Sequence, residues 1–269
     1  MARGLAVLLL TGSLALAALD ARAAPGPVTL RIVFPEGFSV RQMADRVSEV
    51  RKIAIHKRHV TPRLNGVAYK AAAGRARAPS AFRPYLKRRS VEGFLFPSLY
   101  EFTKETRAPE LIAQQLAAFE QVWSGIDLRR ARARNLTPYD VLIIASMIER
   151  ETVAPEERRL VSAVIYNRLE KDMPLAIDAT LRYGLGIPGT RPITKRQLRS
   201  NSPYNTRRFK GLPPTPIGNP GVPSIKAAAR PAPRNYLYYL RKPGSVRHFF
   251  TASEQEFCEK VREYGYGRC

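Results

Sequence analysis

Thr137-Pro-Tyr-Asp-Val-Leu-Ile-Ile-Ala-Ser-Met-Ile-Glu149-Arg-Glu-Thr152 is the stretch on which the fold turns. Thr137 is placed to cap a helix, Pro138 to occupy its first turn, and Asp140 stands three residues after the cap. From Val141 to Ile148 only Ser146 is polar, so every face of the helix is apolar. A helix that is apolar all round lies inside a domain. Glu149 closes the run and shares its face with Val141, Leu142 and Ala145. Loss of solvation there disfavours the charged carboxylate and is expected to raise its pKa, which suits a general acid. The plainer reading is an ion pair with a neighbouring Arg at a helix end. Glu151 lies about 200° further round and cannot act on the same bond.

The flanking text continues the pattern. Pro109 to Trp123 reads as an amphipathic helix burying Leu111, Ile112, Leu116, Phe119 and Trp123. Before it, Glu92-Gly-Phe-Leu-Phe-Pro-Ser-Leu-Tyr-Glu-Phe102 reads as a strand-like entry to a domain. Glu92 in it is a candidate acid or, beside a Gly turn, a hydrogen-bond anchor. A second buried helix spans Pro155 to Lys171, with polar Asn167 and Arg168 directly after the apolar run Val161 to Tyr166. From Asp172 to Ser224 prolines recur at 174, 188, 192, 203, 213, 214, 216, 220 and 223. Long irregular stretches inside a compact domain are usually functional. This one carries Asp178-Ala-Thr180, Ser202-Pro-Tyr204-Asn205-Thr206 and Gly211 to Gly221, with Asn219 among them. Such groups on a proline-stiffened wall suit sugar hydroxyls and amides; taken singly, each also suits a turn or cap. Tyr236 to Leu240 and His248 to Thr251 read as a hairpin, and Ser253 as the cap of a last helix.

Towards the N-terminus, Val28 to Phe34 alternates like a half-buried strand, and Pro35-Glu36-Gly37 reads as a turn. Ser39 then caps a helix through Val50. Residues 51–90 are basic and read as weak helices followed by a linker. The chain has 269 residues, with 45 Lys and Arg against 22 Asp and Glu, a net charge of +23. That charge points to a polyanion: nucleic acid, anionic lipid or acidic wall polymer. Residues 1–23 decide between them. Arg3, an apolar core from Leu5 to Leu19 and Ala21-Arg22-Ala23 read as an export signal. The 16 residues from Gly4 to Leu19 fall short of the ~20 of a usual span, which favours cleavage over an anchor. Either way the folded part lies outside the cytoplasm, and nucleic acid is excluded as a partner. Cys258 and Cys269 are placed to bridge in an oxidising compartment. Three scattered histidines give no expectation of a metal.

Together these motifs resemble the endolytic murein transglycosylases, the YceG-like (MltG) family. The matching text is Glu92 to Pro97, Ala145 to Thr152, Tyr166-Asn-Arg-Leu169, Asp178-Ala-Thr180, Ser202 to Thr206, Gly211 to Gly221, Tyr236 to Tyr239 and His248 to Thr251. The chain departs from the family's common text at Ser98-Leu99, Ala176 and Arg207. The resemblance implies an α+β fold: a small LysM-like subdomain, then a larger mixed α/β catalytic domain with a central buried helix and a Pro-rich substrate wall. The expected divisions are 1–23 signal peptide or anchor, 24–90 LysM-like subdomain and basic linker, and 91–269 catalytic domain. It implies cleavage of the MurNAc–GlcNAc bond inside nascent glycan strands, leaving 1,6-anhydro ends and terminating elongation. Glu149 is the implied catalytic residue. Glu92, Ser146, Asn167, Arg168, Asp178, Thr180, Tyr204, Asn205, Thr206 and Asn219 are the implied substrate-binding residues, with no metal and no cofactor. Implied partners are peptidoglycan strands, peptidoglycan synthases and the membrane surface, at the extracytoplasmic face of the cytoplasmic membrane. From the family comes a preference for an anchor over a cleaved signal.

The chemistry fits one carboxyl group. It protonates the glycosidic oxygen, and the resulting carboxylate helps remove the proton of the sugar's own C6 hydroxyl. Neither an activated water nor a second carboxylate is needed, unlike ordinary glycoside hydrolysis. Two rivals stand beside this reading: a muramidase-type hydrolase with Asp178 or Glu92 as second carboxylate, and a non-catalytic wall-binding scaffold.

Overall fold

The computed structural model describes residues 28–267. The expected leader at 1–23 and the bridge to Cys269 therefore lie outside the described residues. Among these residues no helix is long and apolar enough to cross a membrane. The fold is α+β, with short strands and many helices.

The first unit begins with β1 (Leu30–Val33), whose Leu30 and Ile32 are buried while Arg31 and Val33 face outward. The expected alternation is therefore present, and it fixes the register. β1 pairs antiparallel with β2 (Leu99–Phe102), setting Leu30 opposite Phe102 and Ile32 opposite Tyr100. Arg31 faces Glu101 and binds it at 2.9 Å. Between these strands run α1 (Val40–Arg58) and α2 (Gly66–Arg75). Ser39 caps α1 in a reciprocal box with Gln42.

The region expected to hold weak helices and a linker does hold helices, but firmly packed ones; residues 86–90 after them are irregular and mostly exposed. α1 runs to Arg58, Tyr69 of α2 is fully buried, and Phe82 sits in a 3-10 turn (Ser80–Tyr85) against Phe94 and Trp123. Small and aromatic residues, hidden among the basic ones, supply that packing. The strand expected over Glu92 to Phe102 is confined to β2; residues 92–94 form a turn. The apolar cluster around α1 also takes in Leu111 and Ile112 of α3 (Ala108–Ser124), so it continues past residue 90.

A second cluster surrounds α5 (Pro138–Glu151), reached through the single turn α4 (Arg129–Arg132). Thr137 caps α5 reciprocally with Asp140, and Tyr139 and every residue from Val141 to Ile148 are buried. Burying one large aliphatic side chain contributes about 1.5–3 kcal/mol, so this helix holds the domain together. It packs on α6 (Arg158–Glu170) and most closely on α9 (Val222–Ala229), whose Ala227, Ala228 and Ala229 let the backbones approach. The lone polar residue of the run, Ser146, donates to Ile143 O at 2.7 Å and accepts from Ile217 N at 3.0 Å. The proline-rich stretch is interrupted by α7 (Asp178–Leu185) and α8 (Lys195–Leu198). A hairpin of β3 (Tyr238–Arg241) and β4 (His248–Thr251) follows, then α10 (Glu254–Glu263), capped by Ser253.

Candidate active site

Glu149 sits in the last turn of α5, where the apolar run ends and the first unit meets the second. Its side chain is only 7% exposed. One carboxylate oxygen accepts from the backbone N–H of Gly221 at 3.0 Å, and the other lies 3.9 Å from the Arg158 guanidinium. Arg158 opens α6 and is itself 13% exposed. The Arg158 contact supplies a partner for the ion pair of the plainer reading, and the Gly221 contact was not expected from the apolar run.

The turn after β1 closes over this carboxylate. Gly37 N donates to Asn219 O at 2.8 Å, and Asn219 N donates back to Phe38 O at 2.9 Å. At Gly218 a Cβ would lie 2.4 Å from Gly37 O, so only glycine admits this contact between the two units. Arg150 fastens the same turn, donating to Gly37 O at 3.0 Å and to Gln42 Oε1 at 3.2 Å. Glu36 is thereby carried to Gly221, where an added Cβ would fall 1.7 Å from Glu36 Oε1. Burial first, then the neighbouring Glu149, push the Glu36 carboxyl above its ordinary range, against the pull of Arg158.

Glu92 lies at the same junction with a different set of partners. It is 4% exposed and accepts from Val40 N at 3.0 Å, Asn219 Nδ2 at 3.1 Å and Tyr183 OH at 3.0 Å. Burial pushes its carboxyl up to about 7 despite those bonds. It borders a cleft of about 380 Å³ between the units, lined by Arg41, Lys70, Arg150, Arg182, Tyr183 and Tyr204 among others. A roomier hollow of about 520 Å³ between Arg130 and Arg234 includes Asn167 but no carboxylate, so it offers no acid.

The remaining candidates divide by what their polar atoms already hold. Asn219 bridges both units, donating to Phe38 O at 2.8 Å while its oxygen accepts from Leu95 N at 2.9 Å. Asn167 donates to Arg234 O and Tyr236 O, both at 2.9 Å. Arg168 donates to Leu237 O, Pro174 O and Leu175 O and stacks on Tyr238. Thr180 and Thr206 bond each other at 3.0 Å beneath Ile177, and Asn205 donates to Leu198 O and Ser200 O. With Ser146, these side chains are committed to the backbone of the loops. Tyr204 meets Thr215 through its hydroxyl at 2.8 Å and borders the cleft. Asp178, about half exposed, pairs with Arg207 at 2.6 Å. Glu151 is turned to the other side of α5, where Tyr239 OH donates to it at 2.9 Å. Among the described residues no three of His, Cys, Asp and Glu gather as a metal cage.

Sequence reasoning missed Glu36, Arg158 and Gly221. Glu36 carried one signal, an acidic residue in a Pro-x-Gly turn just before a helix cap. Nothing local ties it to a residue 113 positions away.

Comparison with known proteins bears on this geometry. A family model described as the YceG-like family matches residues 10–263. An endolytic murein transglycosylase of Streptococcus pneumoniae R6 is 26% identical over 250 residues, 88% of this chain and 45% of that protein. One from Bacillus subtilis 168 is 35% identical over 177 residues, 65% of this chain and 48% of that protein. The chain thus spans about half the length of the curated relatives it matches. The crystal structure of a yceG-like protein from Listeria monocytogenes superposes with a TM-score of 0.71 at 26% identity, covering 86% of this chain and 75% of that one.

Proposed function

The chain belongs to the YceG-like family, and from that premise we propose that it is an endolytic peptidoglycan lytic transglycosylase. It cleaves the MurNAc–GlcNAc bond within nascent strands, leaves 1,6-anhydro-MurNAc ends and so terminates elongation. The observation that carries this reading is the Glu149 carboxyl, held nearly out of water at the end of α5 with one hydrogen bond, from Gly221 N–H, among the described residues.

Glu149 acts first as acid. Its proton goes to the glycosidic oxygen as the C1–O bond breaks, and its carboxylate then receives the proton of the C6 hydroxyl as O6 closes on C1. The Gly221 N–H and Arg158 stabilise the carboxylate between these two steps. The cycle returns Glu149 protonated, with no water consumed.

The division at 24–90 and 91–269 is kept as a functional one. We read β1, α1 and α2 as the LysM-like subdomain, whose β1 is paired by β2 from the 91–269 part. The wall from Asp172 to Ser224 is the substrate-facing side, with Glu92, Asp178 and Tyr204 nearest the strand. Ser146, Asn167, Arg168, Thr180, Asn205, Thr206 and Asn219 hold its shape. Residues 1–23 keep the protein at the extracytoplasmic face of the cytoplasmic membrane, as an anchor. The +23 charge keeps it near anionic lipid, wall polymer and the synthases that make new strands. The relatives named for this activity support the reading.

The test is incubation of the purified protein with peptidoglycan and mass analysis of the released ends. Anhydro ends support the lyase, reducing ends the muramidase-type hydrolase, and no release the wall-binding scaffold.

A further inference from the structure

We propose that Glu36, delivered from the first unit, is a positioning residue of the active site that acts through the proton of Glu149. The inference rests on the reading of Glu149 as the acid.

Gly221 is the meeting point. Its N–H donates to Glu149 Oε2 at 3.0 Å, and the Glu36 carboxylate fills the space where a Cβ would stand. Two carboxyl groups from opposite units thus converge on one residue without a side chain. Arg158 is the cation beside them, 3.9 Å from Glu149 and attractive to Glu36. Arg150, the other cation at this junction, is held on Gly37 O and Gln42 Oε1, and its charge also acts on Glu92. Neighbouring carboxylates resist ionising together, so the charge of one bears on the other. Burial first and then the neighbouring Glu149 hold the Glu36 carboxyl above its ordinary range, against the pull of Arg158.

Seating Glu36 requires the contacts that lock the Pro35–Phe38 turn to Gly218 and Asn219. The first unit is therefore part of the catalytic machinery and not only a wall-binding module. With the turn seated, the Glu36 carboxyl stands beside the Glu149 carboxyl at Gly221. With the turn withdrawn, Arg158 and the Gly221 N–H act on Glu149 alone and favour its carboxylate.

The test compares full-length wild type, Glu36→Gln and Glu149→Gln on peptidoglycan, reading kcat/KM against pH. Glu36→Gln keeps the shape of the turn and removes its charge. The account expects the alkaline limb of the profile to move down by about one unit, with activity at acid pH retained. On that limb the rate falls about tenfold. A merely structural residue lowers the whole profile without moving the limb, and an unmoved limb overturns the proposal. If Glu36→Gln is too slow to profile, carboxyl-carbon NMR titration of Glu149 decides the matter. A lower midpoint in the variant supports the proposal, and an unchanged one overturns it. Glu149→Gln separates the two failures. If it stays active, the reading of Glu149 as the acid falls, and the inference with it. If it is inactive while the Glu36→Gln limb is unmoved, only the inference falls.

Discussion

The Glu149 end of α5 and the pocket around Glu92 each keep a carboxyl group from water at the junction of the two units, and their hydrogen bonds set them apart. Glu92 meets three donors, Val40 N, Asn219 Nδ2 and Tyr183 OH, from the first unit, the loop before α9 and α7. Those bonds occupy most of its acceptor capacity and tie three segments together. Glu149 meets one backbone N–H at 3.0 Å and a guanidinium at 3.9 Å. A buried carboxyl whose bonds tie three segments together is a fastener; one with acceptor capacity left has room for a substrate atom. Burial alone does not distinguish them.

The difference is tested most severely at Glu149. Glu149→Gln preserves shape and the Gly221 contact but removes the proton, so cleavage should fall by about 10²–10⁴-fold or more while the thermal midpoint stays near that of wild type. Retained cleavage would erase the contrast. Glu92→Ala should reverse the pattern. It leaves Val40 N–H without its acceptor and takes one bond each from Asn219 and Tyr183, an orphaned buried group costing about 1–3 kcal/mol, so denaturant unfolding should show a loss of stability.

The third test uses pH. Glu92 titrates near 4.5 when unfolded and at about 7 when folded, so the native state holds the extra proton between those values. Its contribution to stability is fully present below pH 4.5 and is lost as pH rises through 7. Melting of wild type and Glu92→Gln across that window should show the wild type declining more steeply, and parallel curves would contradict the assignment. Glu151→Gln should give the smallest effect. The amide oxygen can still accept from Tyr239, and most cleavage should remain.

Local signals made much of this legible. The Thr137 cap, the apolar run and the Ser39 cap place α5 and α1 because each acts within a turn of its own residue. The alternation in β1 sets its buried face, but its partner β2 lies some 70 residues away and left no mark in either strand. Residues 51–90 misled because their charge is on the surface, whereas Tyr69, Ala72 and Phe82 decide the packing. At the site, Glu149 is visible as a carboxyl group ending an apolar helix. Glu36, Arg158 and Gly221 are ordinary residues until the chain folds back on itself. Asn167, Arg168 and Asn205 stood out as polar residues near matching motifs, and their hydrogen bonds run to loop backbone. Spacing shows where polar groups recur, not which of them remain unpartnered.

The central claim is that one buried carboxyl moves a proton from itself to the leaving oxygen and back from the sugar's own hydroxyl, with no water entering. Cleavage of peptidoglycan by wild type in heavy-oxygen water, read by mass at the new ends, tests this directly. The account predicts anhydro ends that carry no heavy oxygen and that disappear with Glu149→Gln. Reducing ends that carry one heavy oxygen would contradict it and make a hydrolase of the site.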